Sequence, residues 1–437
     1  MWEEMMNARI SKQEVLLLAL PLPQPFRLGF GVLHQLPRVL LVLDVENEQG
    51  RIRRSVGEAS IDFPFSHYDA WDIVHALSET SLVGRSVFDR ERILQDVWKD
   101  RERDHIYAAH AALNMALDDA CAAAQGISVS ALYGTVRTSG RILESIGIPD
   151  HEEVFDAMIK RMIAHKRVPK IKCDEDVDAS RGRLVRAMHM AAEADTYIAA
   201  DFNATLEPEQ WNVFLKHLRR HPDFSRLLFV EQPTREGFGM QGIREAARLS
   251  QALHGPMIVA DESFVSKTDA IACGENQIGM NMKIQKVGGL RAACILEKAA
   301  EHASRTHGIF SMVGGTFPTA LGRVYDQHAA CVLKSATLPS DGWQPATDWF
   351  TGPLHLIQES FEEAKPGYAS RPPGTGLGCT PNWKHIQSFV VNDAREEYRR
   401  IRETGKGTHL VIHTEKTHEP YAVMYERLSG RNPFWNL

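Results

Sequence analysis

The chain of 437 residues contains no apolar run of the roughly 18–20 residues that a membrane-spanning helix needs. It also lacks an excess of basic residues, since its net charge is −6, so nothing suggests a surface for nucleic acid. The apolar residues 15–22 follow acidic Glu3 and Glu4, and no small-residue cleavage site comes after them, which argues against a secretory leader. We therefore expect neither a membrane nor a nucleic acid as a partner.

Paired cysteines are also missing. The six cysteines stand singly along the chain, which favours reduced thiols and a cytoplasmic location over a disulfide framework. Hydrophobic residues make up 43% of the chain and charged residues 24%, values typical of a soluble globular protein.

Most of the chain divides into two parts with different patterns of apolar residues. Residues 1–140 combine strand patterns at 39–45 and 55–59 with helical patterns over 69–135, and they predict an α+β domain. Residues 141–345 alternate short apolar runs with helical stretches. The eight runs are 145–148, 168–172, 197–200, 227–230, 257–260, 279–284, 308–313 and 335–338. Eight such runs predict a closed parallel barrel. An open doubly wound sheet would normally carry a Gly-rich turn after its first strand, and none follows 145–148.

The remainder divides into two parts. Residues 346–395 are rich in proline and glycine and predict a return segment that packs on the first domain. Residues 396–437 form a charged extension with a β-like run at 409–413, for which we expect an arm against another subunit of a homo-oligomer.

Three acidic residues each follow or end an apolar run at a constant spacing. Asp201, Glu231 and Asp261 are 30 residues apart, which is the length of one strand–helix unit. A barrel gathers the carboxyl ends of its strands at one face, so these carboxylates are predicted to share a metal ion. All-oxygen ligands favour Mg²⁺ or Mn²⁺. The neighbouring side chains predicted to support the ligands are Asn203, Gln232 and Glu262.

Lysines occur on both sides of this trio. Lys170 and Lys172 alternate along one run, so they share a face, and their mutual repulsion is expected to lower one pKa enough to make a base. Lys283 interrupts an otherwise apolar run and must therefore pair or do chemistry, whereas Lys286 is expected to be exposed or to lie at the strand mouth. Amines on both sides of a metal predict abstraction of a proton beside a metal-bound carboxylate.

These motifs together resemble a known family. The segments are Lys170-Ile-Lys172, Asp201-x-Asn203, Glu231-Gln-Pro233, Asp261-Glu-Ser263 and Asn281-Met-Lys283. They resemble the signature of the enolase superfamily, and more narrowly its muconate-lactonizing-enzyme subgroup, over roughly residues 13–390. The resemblance implies an α/β fold, a modified (β/α)7β TIM-like barrel with an α+β capping domain. It also implies one Mg²⁺ and abstraction of the proton α to a carboxylate through an enediolate.

The same resemblance implies roles for the lysines. Lys172 and Lys283 would be acid/base groups on opposite faces of the substrate, and Lys170 would bind the carboxylate. We expect a racemase or epimerase. A cycloisomerase or syn-dehydratase on the same scaffold stays open, as does, from another class, a metal-independent Schiff-base lyase.

Substrate selection is expected from the capping domain. Its loops 24–31 and 62–68 are aromatic and contain Arg27 and Phe65, while Ser340 and Asp341 after the eighth run are further candidate substrate contacts. Dipeptide epimerases of this subgroup carry Asp-x-Asp at the eighth strand end, and this chain has a single aspartate there. The expected partner is a small, partly hydrophobic carboxylate.

Overall fold

The computed structural model describes residues 8–28, 31–61, 68, 70–101, 106–148, 151–304, 308–343, 352–391 and 412–413.

The first part of the chain is an antiparallel sheet with a helical layer. The strands are β1 (Arg9–Leu28), β2 (Gly31–Glu46) and β3 (Ile52–Ala59), and β2 pairs with both of the others. Helices α1 (Ala70–Glu79), α2 (Arg90–Arg101), α3 (Tyr107–Ala124) and α4 (Val129–Tyr133) follow. The alanine-rich α3 lies directly on β3, because a Cβ atom on Gly57 would stand 1.9 Å from the carbonyl oxygen of Ala112. We call residues 9–124 the cap.

The second part is a parallel sheet of seven strands surrounded by helices. After the short strand β4 (Ser139–Arg141), the parallel strands are β5 (Leu143–Ile146), β6 (Val168–Lys172), β7 (Ile198–Asp201), β8 (Leu227–Glu231), β9 (Met257–Ala260), β10 (Gly279–Asn281) and β11 (Ser311–Met312). The helices are α5 (Glu152–Ala164), α6 (Val177–Glu193), α7 (Pro208–Leu218), α8 (Gly239–Ala252), α9 (Lys267–Asn276), α10 (Ile284–Val287), α11 (Leu290–Ala303) and α12 (Ala320–Val332). Neighbouring strands in the chain are neighbours in the sheet, in the order β5 to β11. The predicted (β/α)7β barrel with an α+β cap is thus confirmed.

The eighth apolar run differs from the prediction. Residues 335–338 do not form a regular strand; instead, the segment from Ser335 to Ser340 joins the two edges of the sheet by single hydrogen bonds. On one side, the backbone N–H of Ser311 on β11 donates to the carbonyl of Ser335, and the N–H of Leu338 donates to the carbonyl of Ser311. On the other side, Ser340 forms a parallel bridge with Ile142, next to β5. The backbone N–H of Ser335 donates to the side chain of Glu297 and that of Thr337 donates to the carbonyl of Ser335, so neither N–H joins a ladder.

Six parallel strands contribute to a separate apolar cluster within the barrel. Its buried members are Leu143, Val168, Ala199, Phe229, Val259 and Met312. The polar residues that end the strands lie at the mouth formed by the strand carboxyl ends, so any chemistry is confined to that mouth.

The chain after the barrel returns to the cap. Strand β12 (Glu363–Lys365) pairs with β13 (Tyr368–Ser370), which also pairs with β4, and α13 (Trp383–Gln387) follows. Val390 then bridges to Leu18 on β1. The last described element, β14 (Ile412–His413), pairs antiparallel with β2 of the same chain. The described strand of the extension therefore lies on its own cap sheet, and the arm against another subunit stays a prediction.

The described helices are all too short or too polar to cross a membrane. All six cysteines are free, four of them buried and two half-buried, as expected for reduced thiols.

His328 on α12 supplies a prediction about stability. Its ring is fully buried; Nδ1 accepts from the backbone N–H of Ser130 at 3.3 Å, and Nε2 donates to the carbonyl of Leu377 at 3.0 Å. Burial lowers the pKa of His328 to about 4. Between this pKa and the usual ~6.5 only the unfolded chain binds the proton, so the stabilisation is complete above pH 6.5 and is lost as the pH falls.

When the pH is lowered from 7.5 to 5, we expect the protonation of His328 in the unfolded chain to lower the free energy of unfolding by about 2 kcal/mol. Urea unfolding at the two pH values should show a smaller pH dependence in His328→Gln than in the wild type. The matched control is His75→Gln on the exposed face of α1, which should keep the wild-type dependence. An unchanged slope in His328→Gln would contradict the assignment.

Candidate active site

The predicted carboxylates meet at the barrel mouth. Asp201 ends β7 and pairs in register with Glu231, which ends β8, and Asp261 directly follows β9. Each of the three side chains is at most 1% exposed. Because β8 is the middle strand of the seven, Glu231 lies at the centre of the row, with the two aspartates on either side of it.

Two lysines lie at the flanks of this row. The Nζ atom of Lys172, at the end of β6, is 2.5 Å from Oδ2 of Asp201, and the Nζ atom of Lys283, just after β10, is 2.6 Å from Oδ2 of Asp261. Strands β6 and β10 are each two places from β8, on opposite sides. The two amines therefore approach the site from opposite directions.

Lys170 is held by several carboxylates. Its Nζ atom is 2.8 Å from Oε2 of Glu231 and 2.9 Å from Oδ2 of Asp341. Burial opposes the charge, but Asp341, Glu231 and Asp201 outweigh it and raise the pKa of Lys170. The expectation that two neighbouring lysines would lower one pKa is wrong for Lys170, since the surrounding carboxylates dominate.

Lys286 is also part of the site: of the two expected positions, exposed or at the strand mouth, the structure places it at the mouth, where it is buried. The short helix α10 turns the chain back over the mouth, and the buried Nζ atom of Lys286 donates to Oδ1 of Asp261 at 2.7 Å. Burial raises the pKa of Asp261, but Lys283 and Lys286 overcome it and hold that pKa well below its usual range.

Glu231 has the opposite electrostatic situation. Burial, together with the charges of Asp201 and Asp261, raises its pKa to about 7, although Lys170 opposes the shift. Within the row, Glu231 is thus the carboxylate whose charged form is disfavoured.

The predicted supporting residues do contact the row. Gln232 accepts the backbone N–H of Asp261 at 3.0 Å on its side-chain oxygen, which fixes the start of the loop after β9. Asn203 accepts from Lys172 at 3.0 Å and donates to Glu262 at 3.2 Å. Both amide residues have positive φ angles, 37° and 44°, so the chain turns sharply where these side chains enter the site.

Asn281 was not predicted as a site residue. It is completely buried at the end of β10, and its Nδ2 donates to Oε1 of Glu231 at 2.5 Å. It stands two residues before Lys283, so the alternation of a strand could have indicated that it shares the inward face.

The predicted substrate contacts have mixed outcomes. Asp341 is engaged with Lys170, and Ser340 closes the barrel: its Oγ accepts from the backbone N–H of Val313 at 2.9 Å. The backbone of Arg27 lies in β1, whereas its side chain and all of Phe65 fall outside the described residues. Tyr68 is buried in the cap, where its hydroxyl accepts the backbone N–H of Ala108.

The donor chemistry fits a hard divalent cation. The site offers three buried carboxylates from adjacent strands, and carboxylate oxygens are the ligands that such an ion prefers. Among the described residues, no three Asp, Glu, His or Cys side chains are grouped closely enough to hold a metal ion, and a lysine Nζ atom contacts an oxygen of each row carboxylate. A cation would therefore have to displace some of these lysine contacts.

Comparison with known proteins identifies the family. The model of the enolase C-terminal domain-like family matches residues 155–385, more than half of the chain. The chain belongs to the enolase superfamily. Together with the curated relatives and solved structures below, this match places it in the muconate-lactonizing-enzyme-like subgroup and confirms the resemblance seen in the sequence.

The curated relatives are enzymes. N-succinylamino acid racemase of Thermus thermophilus is 26% identical over 85% of this chain and 94% of its own length. Muconate cycloisomerase 1 of Rhodococcus opacus is 27% identical over 71% and 79%, and o-succinylbenzoate synthase of Listeria innocua is 24% identical over 85% and 93%. This superfamily member is accordingly an enzyme whose relatives are mainly isomerases.

Solved structures support the same fold. Muconate lactonizing enzyme of Pseudomonas fluorescens, complexed with muconolactone, superposes with a TM-score of 0.74 at 19% identity, over 88% of this chain and 100% of that one. A dipeptide epimerase of Enterococcus faecalis, complexed with Mg and L-Leu-L-Tyr, has a TM-score of 0.71 at 20% identity, over 85% and 99%.

Proposed function

We propose that the chain is a Mg²⁺-dependent racemase or epimerase that removes and returns the proton α to a substrate carboxylate. The observation that carries the proposal is the placement of Lys172 and Lys283 on opposite sides of the carboxylate row, each within 2.6 Å of a row member. Two opposed amines are what inversion of one carbon requires, because one removes the proton and the other delivers it to the opposite face.

The three row carboxylates, Asp201, Glu231 and Asp261, would hold the ion. When bound, Mg²⁺ would supply positive charge against the negative charge that develops as the α-proton leaves. The ammonium group of Lys170, whose pKa is raised, would stay protonated and attract the substrate carboxylate. Lys172 and Lys283 would exchange the proton at their Nζ atoms. The structure of the dipeptide epimerase with Mg supports the choice of ion.

A cycloisomerase or syn-dehydratase would use the same residues differently. One lysine would transfer the proton and the other would act only through its charge. The names of two relatives, a muconate cycloisomerase and an o-succinylbenzoate synthase, keep these reactions as the second candidate.

Deuterium incorporation separates the candidates. The enzyme should be incubated with Mg²⁺ in D₂O and a panel of N-acyl amino acids, dipeptides, hydroxyprolines and sugar acids, with mass spectrometry as the readout. A racemase or epimerase incorporates deuterium and inverts the α-carbon. Loss of water or closure of a ring without inversion would favour the second candidate, and borohydride trapping of substrate with no effect of EDTA would indicate a Schiff base.

We also propose that two cap segments select the substrate, a small and partly hydrophobic carboxylate: residues 24–31, where β1 ends and β2 begins, and residues 62–68. The row and its lysines serve any carboxylate of the class, so discrimination must come from elsewhere around the pocket. Arg27→Ala or Phe65→Ala should raise KM by about 10-fold, the usual effect of one lost contact, while the affinity for Mg²⁺ stays unchanged. Steady-state kinetics and calorimetry test this. A fall in kcat alone, with KM unchanged, would contradict it.

The assembly is expected to be homo-oligomeric. Light scattering of the purified chain would test this expectation, and a monomer at micromolar concentration would contradict it.

A further inference from the structure

Asn281 makes two hydrogen bonds that join different parts of the molecule. Its Nδ2 donates to Oε1 of Glu231 at 2.5 Å, and its Oδ1 accepts the backbone N–H of Gly314 at 2.9 Å. The amide is suited to this position because it donates on one side and accepts on the other. Leucine has a similar size and can do neither.

Gly314 leaves no room for an alternative arrangement. A Cβ atom at this residue would stand 2.3 Å from Oδ1 of Asn281 and 2.6 Å from its Nδ2. Any side chain at 314 would therefore push the Asn281 amide away from Glu231.

Gly314 begins the loop 314–319, which forms hydrogen bonds with the cap. Arg38 of β2 donates to the carbonyl of Thr316 at 2.8 Å, and the hydroxyl of Ser60 bonds that of Thr316. The backbone N–H of Thr319 donates to the buried Glu58 of β3 at 2.9 Å. The cap strands are thus hydrogen-bonded to loop 314–319, and this loop is linked to Glu231 by the two hydrogen bonds of Asn281.

We propose that Asn281 is a positioning residue with two linked tasks: it orients Glu231 for the metal ion, and it transmits the state of that carboxylate to loop 314–319 and the cap. The inference rests on the proposed function, since it assumes that Glu231 is a ligand. Binding of an ion to Glu231 then fixes the side-chain amide of Asn281. The amide in turn fixes loop 314–319, which is hydrogen-bonded to the cap.

The metal itself is the probe. Mn²⁺ binding to the full-length chain without substrate should be measured by electron paramagnetic resonance, and Mg²⁺ binding by calorimetry. Asn281→Leu should weaken both by roughly 10- to 100-fold, the usual effect of removing a hydrogen bond behind a metal ligand. Gly314→Ala should reproduce the loss even though Asn281 is intact. The matched control is Asn276→Leu, an amide at the end of α9 that bonds only within its helix and should bind metal like the wild type.

Hydrogen exchange tests the second task. In the wild type, adding Mn²⁺ should slow amide exchange in loop 314–319 by about 10-fold or more, and in Asn281→Leu saturating Mn²⁺ should leave it unchanged. The strands β5 and β6 should behave alike in both proteins and report that the variant is folded.

The outcomes are distinct. If the wild type binds no divalent metal, the proposed function is wrong. If the wild type binds metal and Asn281→Leu binds it equally well, the positioning role is wrong. If affinity falls but saturating Mn²⁺ still slows exchange of the loop in the variant, the link to the cap is wrong.

Discussion

Replacing any one of the three row carboxylates by its amide should abolish turnover and weaken Mg²⁺ binding while the fold persists. Asp201→Asn, Glu231→Gln and Asp261→Asn each keep the shape of the side chain and remove one negative charge. We expect a loss of about 10³-fold or more in kcat/KM, since the charge that forms in the transition state would lose its main stabilisation.

The three variants should differ in Tm when no metal is present. Glu231→Gln removes a buried charge that its surroundings disfavour, as the raised pKa of about 7 shows, so its Tm above pH 7 should not fall. Asp261→Asn leaves Lys283 and Lys286 facing a neutral amide, so its Tm should fall.

Calorimetry with Mg²⁺ and thermal unfolding supply both measurements. Glu297→Gln is the matched control, because Glu297 is equally a buried carboxylate of the barrel but bonds Ser335 on the eighth segment. It should leave the Mg²⁺ affinity unchanged. Wild-type affinity in all three row variants would show that the row does not bind the ion.

The sequence predicted the row because its signal is local and repeated. Each carboxylate lies at the end of one apolar run, and equal spacing implies equal units, so convergence follows from barrel geometry alone. The strands Val168–Lys172 and Met257–Ala260 have the predicted bounds for the same reason.

The missed features depend on contacts between segments distant in the chain. Lys286 is buried because α10 folds it back onto Asp261. A helix of four residues is too short to show a periodic pattern in the sequence. Lys170 has a raised pKa because Asp341, 171 residues away, lies beside it. Asn281 is a site residue through its bond to Glu231, 50 residues earlier. Sequence spacing carries no such information.

Substituting the flanking lysines should separate the two halves of the reaction. Lys172→Ala and Lys283→Ala should each lose racemisation or epimerisation by about 10³-fold or more, since proton transfer needs a positioned base. Each variant should nevertheless exchange the α-proton of one substrate enantiomer with solvent, because the remaining amine still reaches one face of the carbon.

The two variants should therefore prefer opposite enantiomers. Mass spectrometry of each pure enantiomer in D₂O, in the presence of Mg²⁺, measures this directly. Lys298→Ala, on the outer helix α11, is the matched control and should exchange and invert both enantiomers like the wild type. Exchange of both enantiomers by Lys283→Ala would remove Lys283 from the proton transfer. In that case Lys172 would act alone, as in a cycloisomerase or syn-dehydratase, and the ammonium of Lys283, 2.6 Å from Asp261, would serve only as a charge beside the row.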